Sequence, residues 1–278
     1  MRPISLNRQT KKTKTTPSQN QLPLIEYRNV TVIQNRRVVL DGINLSINIG
    51  EHVAILGPNG SGKSSLIKTI TREYYPMGRH GSYLRILGEE YWNIFELRNL
   101  LGIVSNELVE ACTRDFSGRQ IILSGFFSSI GVWSYQKITP AMEKKVREVM
   151  ELLEISHLAG RNMSQISTGE ARRILIGRAL VHNPRALVLD EPTSSLDLHD
   201  AYELRKILRK IADAGTGIIM VTHSLTDIIP EITRVILLKD RTVFEDDAKE
   251  KVLTSKTLSH LFGTQLEVVK RNGYYHLW

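Results

Sequence analysis

The sequence predicts an α/β fold: a parallel sheet flanked by helices, with an N-terminal antiparallel β subdomain and an inserted helical subdomain. Three observations predict it. Short, almost wholly apolar runs recur at residues 52–56, 186–189, 218–221 and 235–238, as in strands buried on both faces of a sheet. Helical patterns alternate with those runs, over residues 64–72, 172–181 and 202–214. Between residues 106 and 183 the texture turns helical and no buried-strand signal appears.

Each element has its own signal. Residues 24–27 and 30–33 read as β, followed by a polar turn over 34–37. Residues 38–40 and 43–47 continue an alternation of apolar and polar side chains, the mark of a half-buried antiparallel sheet. Gly50-Glu51 then turns the chain into the apolar run 52–56. Residues 141–153 carry apolar side chains at helical spacing with charged ones between. Residues 266–278 alternate around Asn272-Gly273, a strong hairpin turn pair. There is no internal repeat. The organisation expected is a basic disordered tail over 1–22 and one domain over 23–278. Its α/β core comprises 23–105 and 184–278, and its helical lobe 106–183.

Composition excludes several classes. The chain is 278 residues long, 41% hydrophobic and 24% charged, enough for a packed globular core without a covalent staple. Cys112 is the single cysteine, so no intrachain disulfide can form. No apolar run approaches the roughly 18–20 residues of a membrane span. The net charge of +8 looks like a nucleic-acid signal until it is located: five of those charges lie in residues 1–25, which contain no acid. That tail is polar and hydroxyl-rich and cannot bury enough surface to offset the entropy of ordering. A solvated tail, a weak electrostatic tether and an organelle transit peptide all fit this composition. Nucleic acid is not expected as a partner.

Residues 57–64, Gly57-Pro58-Asn59-Gly60-Ser61-Gly62-Lys63-Ser64, fit the pattern G-x-x-x-x-G-K-[ST]. Glycines let backbone N–H groups curl round phosphate oxygens, and the helix opening near Lys63, through Ser64 and Ser65, aims its positive end at the same anion. Lys63 is expected at the β- and γ-phosphates of ATP, and the Ser64 hydroxyl on Mg²⁺. The loop follows one apolar run and opens a helix, which makes the core that of a P-loop NTPase. Asp190 ends another apolar run, at the edge of a parallel sheet where ligands bind. It is a candidate Mg²⁺ ligand, and Glu191 beside it a candidate base that polarises an attacking water. Alone, the acidic pair would read equally as a helix cap.

With these elements in order, the chain resembles an ABC-type ATPase over about residues 24–240. The specific element is Ile166-Ser167-Thr168-Gly169-Glu170, similar to the signature usually written L-S-G-G-Q. Ser194-Ser195-Leu196-Asp197 resembles the loop that follows the acidic pair, and His223 resembles the switch histidine. The resemblance implies that Ser167, Thr168, Gly169, Glu170 and Asp197 contact ATP held by the glycine loop of a second ATPase chain, in a head-to-tail homodimer. It implies hydrolysis driven by Glu191 and His223, a transmembrane permease as partner, and a cytoplasmic place at the inner face of the membrane. Residues 123–133 and the ending 252–269 look like the molybdate-transport-associated, ModF-like ATPases; similar endings occur in metal-chelate importers. The apolar side chains of 123–133 are expected either as a patch facing the permease or as filling of the lobe.

Three departures stand out. Ile166, Thr168 and Glu170 replace the usual signature residues. Gln34 stands where an adenine-stacking aromatic is usual, with Tyr27 as another candidate for that role. Asn106 stands where a loop glutamine is usual, one methylene shorter. Two other readings stay open: a soluble ABC ATPase with no membrane partner, acting on ribosomes or nucleic acid, and a switch that binds ATP but barely hydrolyses it. A paired ATPase in the same chain would mark the first; this chain has one glycine loop and one signature.

Overall fold

A computed structural model describes residues 22–112 and 116–278. The basic tail read over 1–22 lies, but for Leu22, outside the described residues. Strands β1 (Ile25–Gln34) and β2 (Arg37–Ile47) form an antiparallel hairpin about Asn35 and Arg36, both at positive φ. After β3 (His52–Leu56) and α1 (Lys63–Ile70), β4 (Tyr83–Ile86) pairs with β1 and completes a three-stranded sheet in the order β2-β1-β4. Each half of the hairpin, expected as two pieces, is one strand interrupted inside. Register shifts follow Tyr27, and Asn29 stands at φ 47; Gly42 stands at φ 56 in β2. Such bulges insert residues that break a strict two-residue alternation.

The chain continues through α2 (Ile94–Leu100), β5 (Leu101–Val104), α3 (Asn106–Ala111), α4 (Gly118–Ser124), α5 (Pro140–Leu152) and α6 (Thr168–Leu180). Then come β6 (Ala186–Asp190), α7 (Leu198–Asp213), β7 (Gly217–Thr222), β8 (Arg234–Lys239), β9 (Thr242–Ala248), α8 (Lys249–Val252), α9 (Ser255–Phe262) and the hairpin β10 (Val268–Arg271) with β11 (Tyr274–Leu277). The large sheet has the order β5-β6-β7-β3-β8-β9, parallel except for β9. Strands β5 and β9 escape an apolar-run reading: β5 is four residues with a glycine inside, and β9 carries three acids.

Two buried clusters sandwich this sheet. One face packs Val53, Ile55, Val188 and Ile219 against α1 and the three-stranded sheet. The other packs Ala54, Leu56, Leu187 and Met220 with α4, α5, α6 and α7. Helix α6 has no polar face: Ile174, Leu175, Ile176 and Leu180 are all buried, because it lies between the sheet and the other lobe helices. Gly102 of β5 permits the contact, since a Cβ there would lie 2.8 Å from the carbonyl oxygen of Ala179. Among the described residues no helix is long and apolar enough to cross a membrane.

Candidate active site

Strands β3, β5, β6 and β7 run parallel, so their C-terminal ends share one edge of the sheet. That edge gathers the loop 57–62 after β3, Asn106 after β5, Asp190 and Glu191 at the end of β6, and His223 after β7. Four sequence-distant candidates thus become neighbours by topology alone.

The glycine loop is tight. A Cβ on Gly57 would sit 2.4 Å from the carbonyl oxygen of Leu238 and 2.6 Å from Ser61 Oγ, and Gly62, the N-cap of α1, stands at φ 105. Lys63 is buried, and its Nζ donates to the carbonyl oxygens of Gly57 at 2.8 Å and Pro58 at 3.1 Å. Burial pushes its ammonium below the ordinary lysine value, against the pull of the Glu191 and Asp190 carboxylates. Ser61 Oγ is buried without a hydrogen-bond partner among the described residues, a polar atom that a ligand's oxygen would satisfy. The first N–H groups of α1, from Lys63, Ser64 and Ser65, have no intrahelical acceptor and present the helix's positive end.

Asn59, Gly60, Gly62, Lys63, Ser64, Ser65 and Glu191 border one cavity of about 330 Å³. Arg37, Val38, Val39 and Arg241 form its other rim. Arg241 is placed by its backbone: its N–H donates to the Ser61 carbonyl at 3.2 Å and its carbonyl accepts from Asp41 at 2.9 Å. A second cavity of about 180 Å³ is bordered by Ser64, Asn106, Glu107 and Asp190. Burial first, then the neighbouring Glu191, hold the Asp190 carboxyl above the usual carboxylate range, opposed by Lys63. A hydroxyl and one carboxylate on a shared cavity are hard oxygen donors, the set Mg²⁺ takes when phosphates and waters complete its shell. No cluster of three metal-binding side chains exists among the described residues, so protein ligands alone would not hold a cation there.

Glu191 stands at φ 46, an uncommon backbone for a side chain with a Cβ. Its N–H donates to the Val221 carbonyl at 2.8 Å and its carbonyl accepts from Ser194 at 3.1 Å. Its Oε1 lies 3.0 Å from His223 Nδ1. Beneath this pair, Asp227 is buried and accepts from Thr222 Oγ1 at 2.6 Å and from Thr193 Oγ1. One carboxylate thereby joins the loops that carry Glu191 and His223. Asn106 Oδ1 accepts from both Nη1 and Nη2 of Arg172, each at 2.9 Å.

Ser167 caps α6 in a reciprocal box. Its Oγ accepts from the Glu170 N–H at 3.2 Å, and its own N–H donates to Glu170 Oε2 at 2.9 Å. A glutamate serves this box as well as the usual glutamine. Thr168 is exposed, and Gly169 is buried against Asp200: a Cβ there would fall 2.2 Å from Asp200 Cγ, so that side chain would have to move. Asp197 caps α7, its Oδ1 accepting from the Asp200 N–H at 2.8 Å. Neither cavity just described is bordered by Ser167, Thr168, Gly169, Glu170 or Asp197.

Tyr27 is withdrawn as an adenine-stacking candidate. It is 3% exposed, with its hydroxyl on Thr69 Oγ1 at 2.8 Å, inside the core beneath α1. In the segment 123–133, Phe126, Ile130 and Val132 pack partly on the core while Trp133 is 49% exposed. Sequence reasoning missed Arg172, Arg241 and Asp227. Arg172 is one of two adjacent arginines on a helical pattern, and nothing local distinguishes the buried one.

A family model described as ABC transporter matches residues 40–194. The hemin import ATP-binding protein HmuV of Aliivibrio fischeri is 30% identical over 246 residues, covering 86% of this chain and 90% of that protein. The ABC transporter ATP-binding protein ModF of Escherichia coli is 33% identical over 210 residues, covering 74% of this chain and 42% of ModF. Among solved structures, cbiO1 of Clostridium perfringens, part of the ABC transporter complex cbiONQ, superposes with a TM-score of 0.73 at 25% identity. It covers 86% of this chain and 94% of that one.

Proposed function

This chain belongs to the ABC transporter family of ATP-binding proteins, and from that premise we propose that it drives an importer as one of two head-to-tail ATPase chains beneath a transmembrane permease. It is an ATPase subunit of a transporter, and ATP is its ligand. The residue roles follow from the geometry. The loop Gly57, Pro58, Asn59, Gly60, Ser61 and Gly62 and the N–H groups of Lys63, Ser64 and Ser65 hold the phosphates. Lys63 turns its ammonium from the Gly57 and Pro58 carbonyls to the β- and γ-phosphates. Ser64 and Asp190 would hold Mg²⁺, which would supply positive charge beside the phosphate oxygens. Glu191 takes the proton of the attacking water, and His223 orients Glu191 and the terminal phosphate.

The signature residues border neither cavity, and Ser167 and Thr168 are exposed, so the helix start formed by Ser167, Thr168, Gly169 and Glu170, with Asp197, is the surface that closes on the ATP of a second chain. The lobe 106–183 then carries the signature toward the α/β core, 23–105 and 184–278, of the partner. A groove of about 340 Å³ between α2 and the lobe, lined by Ile94, Leu97, Arg98, Leu108, Ile130 and Arg178 among others, is where the permease docks. The chain would sit at the cytoplasmic, inner face of the membrane. Import is supported by the hemin import relative.

One observation carries this reading: Glu191, at 3.0 Å from His223, borders the same cavity as Lys63 and Ser64. The test is co-expression with a candidate transmembrane permease subunit, followed by affinity purification in detergent. A stable complex whose ATPase rate responds to the permease supports it. An ATPase that never associates with a membrane protein, and that sediments instead with ribosomes, would leave the soluble reading in place.

A further inference from the structure

Asn106 borders the cavity that also contains Ser64 and Asp190. A carboxamide has two faces of opposite chemistry: its oxygen accepts hydrogen bonds or ligates a cation, and its nitrogen donates. Which atom faces the cavity decides what Asn106 can do there. X-ray density would rarely settle such a choice, but chemistry does here. Both Nη atoms of Arg172 lie 2.9 Å from the same amide atom. A guanidinium has five donors and no acceptor, so that atom must be the oxygen. Ser194 Oγ stands 3.5 Å from the same oxygen. Among the described residues no protein acceptor engages Nδ2.

Arg172 has little freedom to let go. It is 2% exposed, and its Nε is already buried without a partner among the described residues. Withdrawing Asn106 Oδ1 would strip a buried guanidinium of two further bonds, which is costly for a charged group away from water. Burial holds its guanidinium below the ordinary arginine value, and the Asp190 carboxylate acts against that shift.

We propose that Arg172 is a positioning residue that fixes the Asn106 amide with its nitrogen toward the cavity, so that Asn106 donates a hydrogen bond to the terminal phosphate or the attacking water and does not ligate the cation. Arg172 lies on α6, the helix that Ser167 opens. The contact therefore ties the signature helix to the loop after β5 within one chain, and movement of the lobe carries the donor with it.

The inference rests on the ATP-site reading above, and the experiment separates the two. Binding of Mg-ADP and of Mg-bound β,γ-imido-ATP is measured by calorimetry for the full chain and its variants, with no hydrolysis required. Asn106→Asp keeps an acceptor for Arg172 but replaces the N–H facing the cavity with an oxygen. Arg172→Met frees the amide to rotate. Each should lower the preference for the triphosphate analogue over ADP roughly tenfold, the worth of one hydrogen bond lost. The double variant should be no worse than the poorer single one, because both act through one bond. Arg172→Lys, which can still donate to Oδ1, should recover most of the preference. Mg²⁺ affinity of the ADP complex should stay within about twofold of the wild type in Asn106→Ala, which removes the amide without adding a charge to the cavity that holds Ser64 and Asp190. A Mg²⁺ affinity weaker by about tenfold in that variant would make Asn106 a cation ligand and overturn the proposal. Additive losses would overturn the link through Arg172. Should Arg172→Met not fold, the Asn106→Asp titrations and Arg172→Lys still decide. If Lys63→Ala binds both nucleotides as the wild type does, the ATP-site reading itself fails, whatever the other variants show.

Discussion

His223 Nδ1 lies 3.0 Å from Glu191 Oε1, across 32 residues of sequence and the ends of two adjacent parallel strands. The contact holds the carboxylate of a residue whose backbone stands at φ 46, so side chain and main chain are both constrained. Glu191→Gln keeps the size and removes the base, and general-base catalysis typically contributes 10²–10⁴-fold. Phosphate release under saturating Mg-ATP should fall by about that factor. His223→Ala should fall less, because it loses the orienting contact and keeps the base. Equal rates for wild type and Glu191→Gln would remove Glu191 from the chemistry.

Lys63→Ala should weaken ATP binding by roughly 10- to 150-fold, since a charged hydrogen bond contributes about 1.5–3 kcal/mol. The wild-type ammonium donates to the Gly57 and Pro58 carbonyls, so the variant also loses two contacts inside the loop, and part of the loss in affinity comes from a looser loop. Equilibrium binding of a fluorescent ATP analogue measures the loss, and circular dichroism checks the fold.

How much of this site was legible follows from where its residues stand in the chain. Gly57 to Ser64, Asp190 with Glu191, and His223 each follow an apolar run directly, so the strand ends announce them. Arg172 and Asn106 are 66 residues apart, and Asp227 meets Thr193 across 34. Such pairs exist only once the sheet is assembled, and their residue types are ordinary. The two halves of the β1–β2 hairpin read as four pieces because Asn29 and Gly42, both at positive φ, shift the pleat. Tyr27 looked available for adenine because an aromatic on a half-buried strand has even odds of either face; the register with Leu45 and Leu84 turns it inward.

His182 supplies a pH dependence. Burial, partly offset by the Gly125 carbonyl 3.2 Å from Nε2, holds its imidazole below the ordinary 6.5. The unfolded chain therefore binds more protons than the folded one just below that value, and stability falls as the pH falls. The contribution is fully present above about pH 6.5 and is lost progressively in more acidic buffer. His182→Gln has no titrating ring and should flatten the slope of Tm against pH in buffers more acidic than about pH 6.5, relative to the wild type. Parallel slopes for the two proteins would show that His182 is not the group responsible.

The proposed head-to-tail pairing rests on where the signature lies. Ser167 and Thr168 are exposed at the start of α6 and border neither cavity beside the glycine loop, so a phosphate that they meet would be one held by another chain. If hydrolysis ends the pairing, an ATP that cannot be cleaved should prolong it. Glu191→Gln also removes a negative charge from the side of the cavity that the second chain covers, which lowers like-charge repulsion on closure. That variant should dimerise when Mg-ATP is added and dissociate when the nucleotide is removed, while the wild type stays mostly monomeric. Adding Ser167→Arg should abolish the dimer, because the larger side chain breaks the cap with Glu170 and fills the space for the incoming phosphate. It should leave ATP binding by Lys63 and its loop intact, since Ser167 is outside that cavity. Light scattering with and without Mg-ATP reads the mass, and calorimetry reads the binding. A Glu191→Gln protein that stays monomeric at saturating ATP would mean that the isolated chain does not close on itself, and that the permease must align the two copies first.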